Sequence, residues 1–129
     1  MTGFSRALAA ALLLSGLAVP ANAQSGTAAT ETFAFFERGE IGPVEITPIG
    51  VVRDQRCADA RFCYRPEDMR ISVILHDGIR MQEVVLRLGE RSAIPGGFLT
   101  LIDPGTRPRA RGALRLSEYR LAIRYEAAL

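Results

Sequence analysis

Tyr119, Leu121, Ile123 and Tyr125 alternate with Arg120, Ala122, Arg124 and Glu126 near the end of a 129-residue chain. A period of two sends one set toward an apolar core and the other toward water, the mark of a half-buried strand. From Thr32 onward the same rhythm recurs in short segments bounded by Gly, Pro or Asp. None of them carries apolar residues at the 3.6-residue spacing of an amphipathic helix. In TFAFFERGE, Phe33 and Phe35 share a face and the strand stops at Gly39. In GPVEITPIGVVRD, Val44 and Ile46 have one parity and Ile49 and Val51 the other, with Pro48 and Gly50 at the switch. A β-bulge or bend there returns both pairs to one side and suits proline's confinement to edges and bulges.

RISVILHDGIRMQEVVLRLG reads as a hairpin. Ile71, Val73 and Leu75 form the outward strand, Asp77-Gly78 the turn, and Val84, Leu86 and Leu88 the return. GGFLTLID is a further strand ended by Pro104-Gly105. Six or so such strands predict an all-β fold, a small antiparallel β-sandwich of immunoglobulin-like or barrel-like form. The chain has no tryptophan, and its two cysteines are too close in sequence to span two sheets as in antibody domains.

The N-terminus obeys a different logic. Arg6 leads into the apolar run Ala7 to Val19, followed by Pro20 and Ala21-Asn22-Ala23. A basic start, an apolar stretch too short to span a bilayer and a small-residue triplet are the parts of a secretory signal peptide. Residues 1–23 are therefore expected to form a signal-peptide helix cleaved after Ala23, and Ser/Thr/Ala-rich residues 24–31 a flexible tail. One β-sandwich domain over 32–129 follows, and the protein is periplasmic or secreted. The mature chain is not expected to span a membrane. Sixteen basic residues, all arginine, stand against fourteen acidic ones. That near-balance argues against specific nucleic-acid binding, which needs a clear basic excess. An all-arginine basic set also fits a GC-rich bacterial genome.

The cysteines lie in RDQRCADARFC as Cys57 and Cys63. Structural zinc wants four ligands and paired cysteines two to four residues apart; thiol redox chemistry prefers C-x-x-C. An exported chain needs neither, because its compartment oxidises two nearby thiols. A local disulfide is the expected outcome, and its seven-residue ring stabilises the fold by about 2.4 kcal/mol on the loop-entropy model. Asp54 and Arg56 flank the loop, and Asp54 is expected to structure it by accepting backbone N–H bonds.

The motif formed by Asp54, Arg56, Cys57 and Cys63 resembles that of small secreted bacterial β-domains and lipoproteins. These carry Asp-Ser-Arg-Cys-Pro and, five residues on, a second cysteine followed by Val-Trp-Ala-Gly. LIDPGTRP and YRLAIRY resemble the family's later turn and closing strand. Gln55 and Ala58 depart from the pattern, and YRPEDMR stands where the family has its tryptophan and glycine. The resemblance implies an exported β-sandwich with a local disulfide, and it implies no catalytic residues.

Chemistry-bearing groups are sparse. His76 is the sole histidine, so any Ser-His-Asp chemistry must run through it. Beside Asp77 it reads as a solvated turn residue. Glu67-Asp68 reads as a solvated loop pair with ordinary acidity. No catalytic residue, metal site or cofactor is expected. Arg107, Arg109, Arg111, Arg115, Arg120 and Arg124 form the one charged feature, a fan of guanidinium groups able to grip carboxylate or phosphate. The expected function is a non-catalytic exported module, with an envelope protein or acidic polymer as partner. The alternative is a small hydrolase or inhibitor acting through an exposed loop.

Overall fold

Two four-stranded antiparallel sheets make up the structure, a computed structural model that describes residues 28–129 and Gly16. The expected signal peptide and the first four residues of the expected tail lie outside the described residues, Gly16 apart. The strands are β1 (Ala28–Phe33), β2 (Gly39–Ile41), β3 (Val44–Asp54), β4 (Met69–Asp77), β5 (Arg80–Arg87), β6 (Arg91–Ile94), β7 (Gly97–Gly105) and β8 (Tyr119–Ala127). Sheet order is β1-β8-β7-β6 in one layer and β2-β3-β4-β5 in the other.

This is an up-and-down sandwich with the barrel-like connectivity allowed above. Every hydrogen-bonded neighbour in the second sheet is also a neighbour in sequence, and β8 returns to pair with β1. At the β5–β6 corner the Gly89 N–H donates to the Leu101 carbonyl at 2.9 Å, tying the sheets together. Two ends result. One carries the 34–38, 55–68, 88–90 and 106–118 connections; the other carries the tight turns at 42–43, 78–79 and 95–96.

The alternation places the core as expected. Tyr119, Leu121, Ile123 and Tyr125 are buried, and they face Ile46, Ile71, Val73, Leu75 and Leu86 of the other layer. Phe33 and Phe35 join them, with the Phe35 and Tyr119 rings edge-to-face at 5.4 Å. Burying such aromatic and branched side chains supplies the main driving force for the fold.

Four local expectations change. The strand begins at Ala28, because Ala28 to Glu31 already pair with Glu126 to Ile123, so the loose tail ends earlier. Gly39 opens β2 instead of closing β1, since Phe36 turns the chain with φ of 66°. The bulge at Pro48/Gly50 is present, yet Pro48 is the buried residue and Ile49 is the extra, unpaired one. Val44, Ile46 and Val51 still pack inward. The hairpin turn lies one residue later: Asp77 pairs with Arg80, leaving Gly78-Ile79 as the loop. Gly78 has φ of 59° and Ile79 has no positive φ, as a type II′ turn demands.

Candidate functional site

Asp54 ends β3 at the same end of the sandwich as the start of β8, so its carboxylate meets Tyr119. The Tyr119 hydroxyl donates to Asp54 Oδ2 at 2.7 Å. Arg56 Nε and Nη2 donate to Oδ1 and Oδ2 at 2.9 and 3.0 Å, a two-pronged pair whose guanidinium is only 3% exposed. The second Nη2 bond, 3.0 Å to the Thr106 carbonyl, ties in the β7–β8 connection. The Arg56 N–H also donates to Asp54 Oδ1 at 3.3 Å, the expected side-chain-to-backbone turn. Burial alone would raise the Asp54 carboxyl, but the bonds from Arg56 and Tyr119 and the Arg56 charge outweigh it and hold it below the usual range. The same burial, with the Asp54 carboxylate beside it, pushes the Tyr119 phenol up to about 12.

Cys57 and Cys63 are joined by a disulfide with Cα atoms 5.6 Å apart. Between them a 3₁₀ turn at Ala60–Phe62 is capped by Asp59, whose carboxylate accepts the Arg61 N–H at 3.0 Å. Arg107 reaches across from the β7–β8 connection, donating to the Cys57 carbonyl at 2.7 Å and to both Glu67 oxygens at 2.5 and 3.1 Å. Glu67 in turn accepts the Cys57 N–H at 3.1 Å. The Arg107 bonds hold the Glu67 carboxyl below its ordinary value. The two sulfurs and Glu67 offer ligand atoms within 4.8 Å of one another, but the sulfurs are bonded together and Glu67 is already paired.

The arginine fan is therefore divided among tasks. Arg107 is a clamp on the disulfide loop. Arg109 pairs with Glu118, and Arg124 shares Glu126 with Arg91. Arg120 donates to the Ser117 and Tyr119 carbonyls. Arg111 and Arg115 are exposed and carry no side-chain ion pair among the described residues.

The reading of Glu67-Asp68 as a solvated loop pair is overturned. Asp68 is buried and accepts from Arg53, Arg70 and Arg87. Its carboxyl is held low, chiefly by the Arg70 bond. Sequence reasoning missed this cluster because its arginines come from three strands. His76 is likewise no turn residue: it lies within β4, and Nε2 shares a hydrogen bond with Thr47 Oγ1 at 2.9 Å. Glu40, Glu45 and Asp77 share with it an open hollow of about 410 Å³. Among the described residues no third group bonds the other ring nitrogen, the orienting element a triad requires.

What the stapled end presents to solvent differs in kind from its base. Phe62 is exposed, with the Arg61 guanidinium 5.7 Å from its ring, and Tyr64 is 94% exposed between Cys63 and Arg65. Comparison with family models, curated proteins and solved structures finds no match for this chain.

Proposed function

We propose that the protein is an exported, non-catalytic binding module that presents its Cys57–Cys63 loop to an acidic partner in the cell envelope or beyond it. The observation that carries this reading is the contrast between the two sides of the loop. Its base is fixed by the disulfide, by Asp54–Arg56–Tyr119 and by Arg107–Glu67. Its outer side displays Arg61 and Phe62, with exposed Tyr64 and Arg65 just beyond Cys63. Aromatic and arginine side chains supply most binding energy at protein interfaces, and a pre-ordered loop loses less entropy on docking. Arg111 and Arg115, in the adjoining connection, extend the positive character. The disulfide supports an oxidising compartment, and no helix among the described residues is long and apolar enough to cross a membrane. The resemblance to small secreted bacterial β-domains rests on this same loop.

Affinity capture from envelope extract, with bound proteins or polymers identified by mass spectrometry, tests the module. Replacing Phe62 and Tyr64 together by Ala is expected to cut recovery of the partner at least tenfold, with the thermal midpoint unchanged. Equal recovery by the variant refutes the loop as the contact. N-terminal sequencing of exported protein is expected to begin at Gln24, and a start at Met1 refutes the address.

A further inference from the structure

We infer that Arg53, Arg70 and Arg87 form a binding site for a tetrahedral oxyanion, a phosphate or sulfate group. The three lie directly opposite one another across β3, β4 and β5, Arg53 against Arg70 and Arg70 against Arg87. Like charges directly opposed on neighbouring strands are destabilising, so a row of three needs an anion. Asp68 provides one. Arg53 Nη1 reaches Oδ2 at 3.3 Å, Arg70 bonds both oxygens at 3.1 and 3.0 Å, and Arg87 Nε reaches Oδ1 at 3.2 Å. Glu90 adds a 3.5 Å contact to Arg87. Cations still exceed anions.

The layering shows where a ligand sits. The Asp68 side chain, 11% exposed, forms the floor, while Arg53 and Arg87 are about half exposed above it. Each guanidinium has five N–H groups and spends only one or two of them on these carboxylates. The remaining donors are carried by planar forks that bind a tetrahedral oxyanion two bonds at a time. Neighbouring strands are about 4.8 Å apart, so the outer two arginines start about twice that distance from each other, and the three side chains converge because all reach the one Asp68 carboxylate. Three guanidinium groups against Asp68 and Glu90 leave one positive charge in excess, and a tetrahedral oxyanion offers the free donors more acceptor oxygens than a carboxylate does. This site is separate from the loop tip, and the Phe62/Tyr64 double variant is expected to bind phosphate as the parent does.

Inorganic phosphate titrated into the purified, disulfide-bonded protein at constant ionic strength, followed by calorimetry, provides the test. Arg70→Gln and Arg87→Gln are each expected to weaken binding at least tenfold, and Arg80→Gln, at the exposed hairpin turn, to leave it unchanged. Asp68→Asn removes the competing carboxylate and is expected to tighten binding several-fold, whereas a merely structural ion cluster gives no gain. Near-UV circular dichroism establishes that each variant is folded. Absent binding by the parent, equal losses from Arg80→Gln, or no response to Arg70→Gln and Arg87→Gln overturns the site. Flotation with vesicles containing phosphatidic acid then separates a lipid-borne phosphate, which carries the protein upward, from a free one, which leaves it behind.

Discussion

Tyr119 and Asp54 are 65 residues apart in sequence, and the tyrosine hydroxyl donates to the aspartate at 2.7 Å. That bond joins the two sheets at the end where the disulfide loop departs, because Asp54 closes β3 and Tyr119 opens β8. It also fills the last acceptor position of a carboxylate already gripped by Arg56.

Removing only that hydroxyl isolates its contribution. Tyr119→Phe keeps the ring and its edge contact with Phe35 while depriving Asp54 of one donor. Hydrogen bonds to charged groups contribute about 1.5–3 kcal/mol, so urea denaturation is expected to show a loss in that range. A loss below about 0.5 kcal/mol would mean that water replaces the hydroxyl freely.

Breaking the ion pair costs more than deleting it. Arg56→Met alone leaves the Asp54 carboxylate without its main counter-charge in a largely buried position, and about 3–5 kcal/mol is expected to be lost. The double variant with Asp54→Leu is expected to recover part of that loss, since no uncompensated charge remains. A double-mutant cycle by chemical denaturation reads the coupling, and additive losses would argue against it.

Stability is expected to fall at both extremes of pH. Asp54 and Glu67 have lowered carboxyls in the fold, so they favour it above the ordinary carboxylate range, and that contribution disappears as pH drops through their folded values. Tyr119 works the other way. Its raised value means the native state holds the phenolic proton more tightly than the unfolded chain, so stability is lost between about 10 and 12. Thermal midpoints across pH check this, and Tyr119→Phe should remove that residue's share of the alkaline slope.

Two glycines make opposite predictions. A Cβ on Gly97 would stand 2.3 Å from the Glu126 carbonyl oxygen and 2.7 Å from the Tyr125 ring, whereas nothing lies within 4 Å of a Cβ on Gly50. Gly97→Ala is expected to cost about 1–3 kcal/mol by overpacking against the closing strand. Gly50→Ala is expected to stay within about 0.5 kcal/mol of the parent. Differential scanning calorimetry of the pair decides it, and equal midpoints would disprove the close approach.

The disulfide is expected to contribute about 2.4 kcal/mol, the loop-entropy value for so short a ring. Cys57→Ser with Cys63→Ser should keep the sheet signature in far-UV circular dichroism, because Arg107 and Glu67 still hold the loop base. Loss of that signature would show the staple to be indispensable for folding.

Period-two alternation determined the class of fold, since it is a local property: the side chains of β8 face the core or water wherever the strand is placed. The bulge at Pro48/Gly50 was also visible, because a parity switch beside proline has few other outcomes. The Asp54–Arg56 turn was legible in part, two residues apart in one short segment. The hairpin turn was misplaced by one residue because Asp77-Gly78 and Gly78-Ile79 both allow a positive φ, and the register of β4 on β5 makes the choice.

What sequence could not reveal depends on partners brought together by register. Short β2 and β6 carry too few residues for a pattern and exist as strands because longer neighbours offer them hydrogen bonds. Arg107 looked like part of a fan until the β7–β8 connection laid it on Glu67. Arg53, Arg70 and Arg87 share no local motif, and only the stacking of three strands aligns them over Asp68. Alternation tells each strand which face to bury; the pairing of distant strands decides which charges meet.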